Sequence, residues 1–246
     1  MPNQTITIAL PAFNEQVALP GVVSACLAEL EHINCEKKEL LIVNDGSTDR
    51  TADVIAEICE QYANVRMYDH ARNSGFAAVQ KSCYREARTD WIFLLPADGQ
   101  VPPREIHKFL NKTDQNDLMF GAAQSDPESG LRRVQSGLYH GLVDALFGLR
   151  LGDFGACVMV RRALVQSLEL KSKTPVLMTE LAVRARAAGA RVASIPVHKK
   201  PREHGAARGG RMLHLTPVIA SELAALYIDL KIRGRSKQLP DRGGGR

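Results

Sequence analysis

The run Leu41-Ile42-Val43-Asn44-Asp45 ends a β-forming apolar stretch in a carboxylate, and Gly46-Ser47-Thr48-Asp49 turns directly after it. The arrangement recurs twice. Ile6-Thr7-Ile8-Ala9-Leu10 leads into Pro11-Ala12-Phe13-Asn14-Glu15, and Trp91-Ile92-Phe93-Leu94-Leu95 leads into Pro96-Ala97-Asp98-Gly99-Gln100. In an open α/β sheet, ligands bind beyond the carboxyl ends of the strands. Glu15, Asp45 and Asp98 at three such ends suggest a site for a polar, phosphorylated ligand and a divalent cation. Each has a structural alternative. Asp98 suits a turn before Gly99, Glu15 suits solvent at a helix start, and Asp45 suits a helix cap. The last is weakened because Ser47, Thr48 and Asp49 already offer caps.

These residues need strands and helices to hold them, and the pattern supplies both. Leu19, Val22, Val23, Cys26, Leu27, Leu30 and Ile33 recur at helical spacing. Strands are expected at 40–43, 65–68 and 91–95, with helices at 51–62 and 77–87 between them. This βαβ alternation implies a mainly parallel sheet with right-handed crossovers. Further on, a helix is expected to about 110, a strand at 117–120 and a polar loop at 122–130. A helix at 130–147 carries Leu131, Val134, Leu138, Leu142 and Leu146 on one side. A strand at 157–160, a helix at 176–188 and a strand at 192–197 follow. The segment 199–211 reads as a loop. A C-terminal helix at 216–232 carries a stripe of Leu215, Ile219, Leu223, Leu226 and Leu230, and the glycine-rich end reads as disordered.

At 246 residues the chain can bury a full core. The expected division is a catalytic domain over 1–210 and an amphipathic helix with a basic tail over 211–246. Five scattered cysteines with no Cys-x-x-Cys spacing read as reduced thiols of a cytoplasmic protein. No apolar run approaches the ~20 residues of a membrane-spanning helix. Net charge is +5, yet residues 199–246 hold eleven Lys/Arg against four Asp/Glu, so the basic character is C-terminal. Such a segment suits a phosphate or an anionic surface, or is a solvated tail. The first strand leads into Pro-Ala-Phe-Asn-Glu instead of GxGxxG, which disfavours a dinucleotide fold, and no P-loop is present.

Taken in order, the Pro11–Glu15 and Val43–Asp49 motifs, Asn73-Ser74-Gly75-Phe76-Ala77-Ala78 and the Pro96–Gln100 motif resemble family-two glycosyltransferases of the GT-A fold. Residues 147–156, Thr179-Glu180-Leu181 and residues 196–205 are similar to the dolichol-phosphate and polyprenyl-phosphate sugar transferases. The resemblance covers about residues 4–210. It implies a nucleotide-sugar pocket lined by Pro11, Phe13, Glu15, Asp45, Asn73, Gly75, Ala97 and Asp98, with Asp45 on the base. Asn73 and Gly75 equally suit a tight turn. The family's Asp-x-Asp-x-Gln motif reads Pro96-Ala97-Asp98-Gly99-Gln100 here, so its first carboxylate is missing. Asp98 and Gln100 remain for Mg²⁺ or Mn²⁺.

On the acceptor side the resemblance implies that Arg132, Arg133, Ser136, Arg202 and Arg208 bind a lipid phosphate. Arg208 stands where the family has lysine. The Thr-Glu-Asp motif is reduced to Thr179-Glu180-Leu181. That fits an acceptor already charged, or Glu180 as a base. The reaction expected is transfer of a hexose from a GDP- or UDP-sugar to a polyprenyl phosphate, with Asp98 and Glu180 as catalytic residues. No nucleic-acid partner is expected. The alternatives are a soluble transferase acting on a hydroxyl, and a catalytically impaired nucleotide-sugar binding protein, suggested by Pro96. The C-terminal helix either lies at a membrane surface beside the basic loop or packs on the core or a second subunit.

Overall fold

The computed structural model describes residues 4–124, 130–149, 155–201 and 212–237. Seven strands form one sheet: β1 (Thr5–Ala12), β2 (Lys37–Asn44), β3 (Val65–Asp69), β4 (Trp91–Leu94), β5 (Leu118–Ala123), β6 (Val158–Arg161) and β7 (Val192–Val197). Their order is β3-β2-β1-β4-β6-β5-β7. All pairings are parallel except those of β6, which runs antiparallel to both β4 and β5. The mainly parallel sheet expected from the alternation is therefore present, with one reversed strand.

Helices α1 (Leu19–His32), α2 (Thr51–Gln61) and α3 (Phe76–Glu86) are the crossovers of the parallel half. A single 3₁₀ turn at Pro103–Glu105 leads into α4 (Ile106–Leu110). Then come α5 (Gly130–Phe147), α6 (Arg162–Ser167), α7 (Val176–Ala187) and α8 (Met212–Lys237). The six-residue α6 was not anticipated, because it is too short to show a period. Two apolar layers fill the two faces of the sheet. One joins α1 to Ile6, Ile8, Leu40, Ile42, Trp91 and Phe93. The other joins α3 and α7 to Ala9, Leu41, Val43, Ile92 and Leu94. The alternation along each strand follows from side chains pointing to opposite faces.

Two helices depart from their expected faces. On α5, Leu138 is 71% and Leu142 50% exposed, whereas Val143 is buried. The packed side carries Tyr139, Val143 and Phe147. The Tyr139 hydroxyl lies 2.7 Å from Thr179 Oγ1, and Phe147 meets the Tyr227 ring edge-on at 6.1 Å. Burying these larger rings with a hydroxyl partner outweighs burying the leucines. α8 begins at Met212, before the expected start at 216, and keeps Pro217 inside the helix. Its Leu223 and Leu226 are buried, and Ile219 and Leu230 pack on the same layer. These four residues of the stripe pack on the protein body, and the side chain of Leu215 lies outside the described residues. No described helix is long and apolar enough to cross a membrane.

The remote end of the sheet carries an acid-sensitive clamp. Asp117, just before β5, accepts from Arg161 Nε at 3.1 Å on β6 and from Arg191 Nε at 3.2 Å before β7. The Arg191 guanidinium, with help from Arg161, holds the Asp117 carboxyl at about 2, below its ordinary 3.8. A depressed folded-state value contributes stability above the unfolded value, lost as pH falls through the folded one. Asp117→Asn should therefore flatten the fall in urea stability between about pH 4 and pH 2; an unchanged slope would contradict this.

Candidate active site

The chain leaves β1 for β2 and β3 on one side and returns to β4 on the other. The strand order therefore switches between β1 and β4, where a crevice must open at the carboxyl ends. A cleft of ≈ 860 Å³ lies there, within the usual range for small-molecule sites. Pro11, Phe13, Glu15, Asp45, Asn73, Gly75, Ala97 and Asp98 all line it. Eight residues spread from position 11 to position 98 thus meet at one place. Ala12, Phe76, Val79, Gln80, Leu94, Pro96, Gly155, Val158 and Met178 complete the wall. The apolar members carried no signal beyond their place in strand and helix patterns.

Local sequence explains how the rim is held. Asn14 is the one non-glycine described residue at positive φ (54°), a conformation asparagine tolerates. There its side chain reaches the β2–α2 turn, where the Thr48 N–H donates to Asn14 Oδ1 at 2.8 Å. The Asn14 N–H donates to Ser47 Oγ at 3.0 Å and the Glu15 N–H to Thr51 Oγ1 at 2.9 Å. Ser47 and Thr48 thus staple two loops, and Asp49 does the capping, accepting from the Thr51 N–H at 3.0 Å. Gly46 is required at φ 62°: a Cβ there would sit 2.3 Å from the Arg72 carbonyl carbon.

Asp45 does not cap α2, as its neighbours allowed, but it has another structural duty. Its carboxylate accepts from the N–H groups of Ser74 and Gly75, both at 2.9 Å. His70 Nδ1 lies 2.7 Å from it, and His70 Nε2 lies 2.8 Å from Ser82 Oγ. The tautomer with its proton on Nδ1 satisfies both contacts. Asp45 thereby latches the Asn73–Gly75 segment against the cleft. Asp45→Ala should raise the donor dissociation constant at least about tenfold and lower stability by about 3 kcal/mol, because three donors lose a buried acceptor. Calorimetry and urea unfolding check the two effects; an unaltered variant would remove the latch.

Asp98 lines the cleft and accepts from the Gln100 N–H at 3.1 Å. Gln100, the other expected metal ligand, does not line it in this arrangement. Its Nε2 donates to the Lys200 carbonyl at 3.3 Å, and the Lys200 N–H donates to the Gln100 carbonyl at 2.7 Å. These two bonds seat the start of the basic segment on the Asp98 loop. Among the described residues no group of three or more His, Cys, Asp or Glu is placed to hold a metal ion. The donor set therefore fits a hard cation only where a diphosphate supplies further oxygens beside Asp98.

Glu180, the other expected catalytic residue, is engaged by its own neighbours. It is buried and does not line the cleft. Its carboxylate accepts from the N–H groups of Ser172 at 2.7 Å and Lys171 at 2.9 Å, and from Arg184 Nε at 2.8 Å. Arg184 in turn reaches Asp229 of α8 at 2.7 Å. Burial alone would push the Glu180 carboxyl up. The Ser172 and Lys171 N–H groups and Arg184 outweigh it and hold the carboxyl below its ordinary range. Its carboxylate thus carries structural bonds in this arrangement. Ser136 lies on α5 and does not line the cleft. The side chains of Arg132 and Arg133, the residues Arg202 and Arg208, and the expected domain boundary at 210–211 lie outside the described residues.

Comparison with known proteins agrees with this geometry. An undecaprenyl-phosphate 4-deoxy-4-formamido-L-arabinose transferase of Edwardsiella ictaluri is 28% identical over 216 residues, 85% of this chain and 64% of that protein. The chain thus spans less than two thirds of that relative's length. Glucosyl-3-phosphoglycerate synthase from Mycobacterium tuberculosis, solved with Mn²⁺, UDP-glucose and phosphoglyceric acid, superposes with a TM-score of 0.66 at 17% identity, covering 99% of this chain and 83% of that one. A mannosyltransferase from Pyrobaculum calidifontis, solved with GDP-mannose and Mn²⁺, gives a TM-score of 0.63 at 14% identity, covering 94% and 65%. Both share the GT-A architecture found here. The family model for glycosyl transferase family 2 matches residues 7–168, well over half of the sequence, and the chain belongs to that family of glycosyltransferases.

Proposed function

We propose that the chain transfers a hexose from a UDP- or GDP-sugar to a polyprenyl phosphate such as undecaprenyl phosphate. The observation that carries the acceptor is the state of Glu180. A sugar or acid hydroxyl needs a general base to become a nucleophile, and the carboxylate expected for that task is consumed by N–H groups and Arg184. A phosphate monoester needs none. The named activity of the Edwardsiella ictaluri relative supports the same acceptor.

In this reading the base lies at the β1 and β2 ends, between Phe13 and the Asp45-latched segment. The diphosphate lies at Asp98. The acceptor phosphate oxygen attacks the anomeric carbon as the bond from that carbon to the diphosphate oxygen breaks. The nucleoside diphosphate leaves with the electron pair, and the configuration inverts. The two solved neighbours are complexes with both Mn²⁺ and a nucleotide sugar. Mn²⁺ or Mg²⁺ bound at Asp98 would supply charge stabilisation for the departing diphosphate. Asp98 orients that end of the donor, and the backbone of Lys200 is tied to its loop through Gln100. At a membrane, contact would come through the basic segment after β7 and not the apolar stripe of α8.

The test is to incubate the protein with radiolabelled UDP-glucose and GDP-mannose, among other nucleotide sugars, with Mn²⁺ and either undecaprenyl phosphate or 3-phosphoglycerate. Label in the organic phase is expected only with the lipid. Label transferred only to the soluble acid would replace the lipid reading with a soluble-acceptor enzyme.

A further inference from the structure

Of the buried residues that line the cleft, two are polar: Asp45, 3% exposed, and Gln80, 5% exposed. They are treated very differently. Asp45 accepts two backbone N–H groups and faces His70. Gln80 Oε1 is buried with no hydrogen-bond partner among the described residues. The other buried residues lining the cleft are apolar, Val79, Leu94, Val158 and Met178 among them. A buried acceptor without a donor is destabilising and uncommon, and each instance calls for a reason. A methionine or leucine would fill this wall at no such cost.

We propose that Gln80 is a specificity-determining residue that accepts a hydrogen bond from a hydroxyl or amide N–H of the donor's sugar ring. This rests on the nucleotide-sugar reading of the cleft. The terminal torsion of a glutamine is soft, so the amide can turn Oε1 toward the cleft, and that atom has no bond to lose. An ionised diphosphate offers only acceptors and cannot satisfy it. The base end is served by Asp45 and Phe13. A hexose presents hydroxyl donors around its rim and C–H faces that suit the neighbouring apolar wall. A site built to accept from a substrate hydroxyl also disfavours analogues lacking it, since its acceptor is then left unpaired.

The experiment compares wild type with Gln80→Met and Gln80→Leu by calorimetry, using UDP with UDP-glucose and GDP with GDP-mannose in the presence of Mn²⁺, alongside thermal unfolding. For the pair that wild type binds, both variants should lose about tenfold in affinity for the sugar nucleotide. Affinity for the matching free nucleotide should stay unchanged, and Tm should hold or rise. That combination separates a ligand-reading residue from a merely structural one. Unchanged sugar-nucleotide affinity, an equal loss for both ligands, or variants that fail to fold would each overturn the proposal for Gln80. A wild-type protein that binds neither pair would instead remove the nucleotide-sugar reading beneath it.

Discussion

Asp98→Ala is expected to lower sugar transfer by about a hundredfold or more. The expected loss is that of a group aimed at charge developing in the transition state, about 3 kcal/mol or more. Asp98 is the one carboxylate of its motif, it lines the cleft, and it stands at the end of β4 beside the topological switch. It accepts from the Gln100 N–H in the half-buried turn after β4. Pro96 lines the same wall. Pro96→Asp should therefore tighten Mn²⁺ binding in the presence of the nucleotide by adding a second carboxylate. Full transfer by Asp98→Ala would remove Asp98 from the chemistry. Unchanged Mn²⁺ affinity in Pro96→Asp would show that position 96 does not face the ion.

Glu180→Ala should do the opposite, costing about 3–5 kcal/mol of stability because it strands buried charge. The Arg184 guanidinium, itself buried, would keep only Asp229, and the Ser172 and Lys171 N–H groups would lose their acceptor. These bonds tie α7, the 169–176 segment and α8 together. Glu222 of α8 adds to them by accepting from the Lys173 N–H at 2.8 Å and Thr174 Oγ1 at 2.7 Å. Urea unfolding measures the loss, and turnover per folded molecule separates the roles. A structural Glu180 loses stability and keeps turnover at low temperature. A base loses turnover with stability intact, and that result would return Glu180 to the catalytic residues.

The strand-end carboxylates were legible because a parallel sheet gives strand ends one meaning, and three of them fell in a readable order. The eight expected pocket residues converge for that reason. What could not be read is where side chains spend their bonds. Gln100 and Glu180 stand in motifs that suggest ligation and catalysis. Only the fold shows Gln100 tied to Lys200 and Glu180 to Arg184. Asp45 shows the converse, a cleft residue with a structural task set by Ser74, Gly75 and His70, between 25 and 30 residues away. Gln80 lay in an ordinary helix pattern, and nothing in its spacing marks a buried acceptor without a donor. The reversal of β6 also has no local signature, because strand direction depends on how the preceding helix returns the chain. On α5 the leucine period pointed to one face, whereas hydroxyl and ring partners on α7 and α8 select another.

The central claim is that a nucleotide sugar lies across the carboxyl ends of β2, β1 and β4. Its most direct test is the position of a bound nucleotide in crystals grown with Mn²⁺ and whichever of UDP or GDP binds more tightly. The account places the base near Phe13 and the Asn73–Gly75 segment, and the diphosphate with its cation at Asp98. A nucleotide bound elsewhere on the molecule, with this cleft empty at saturating concentration, would contradict it.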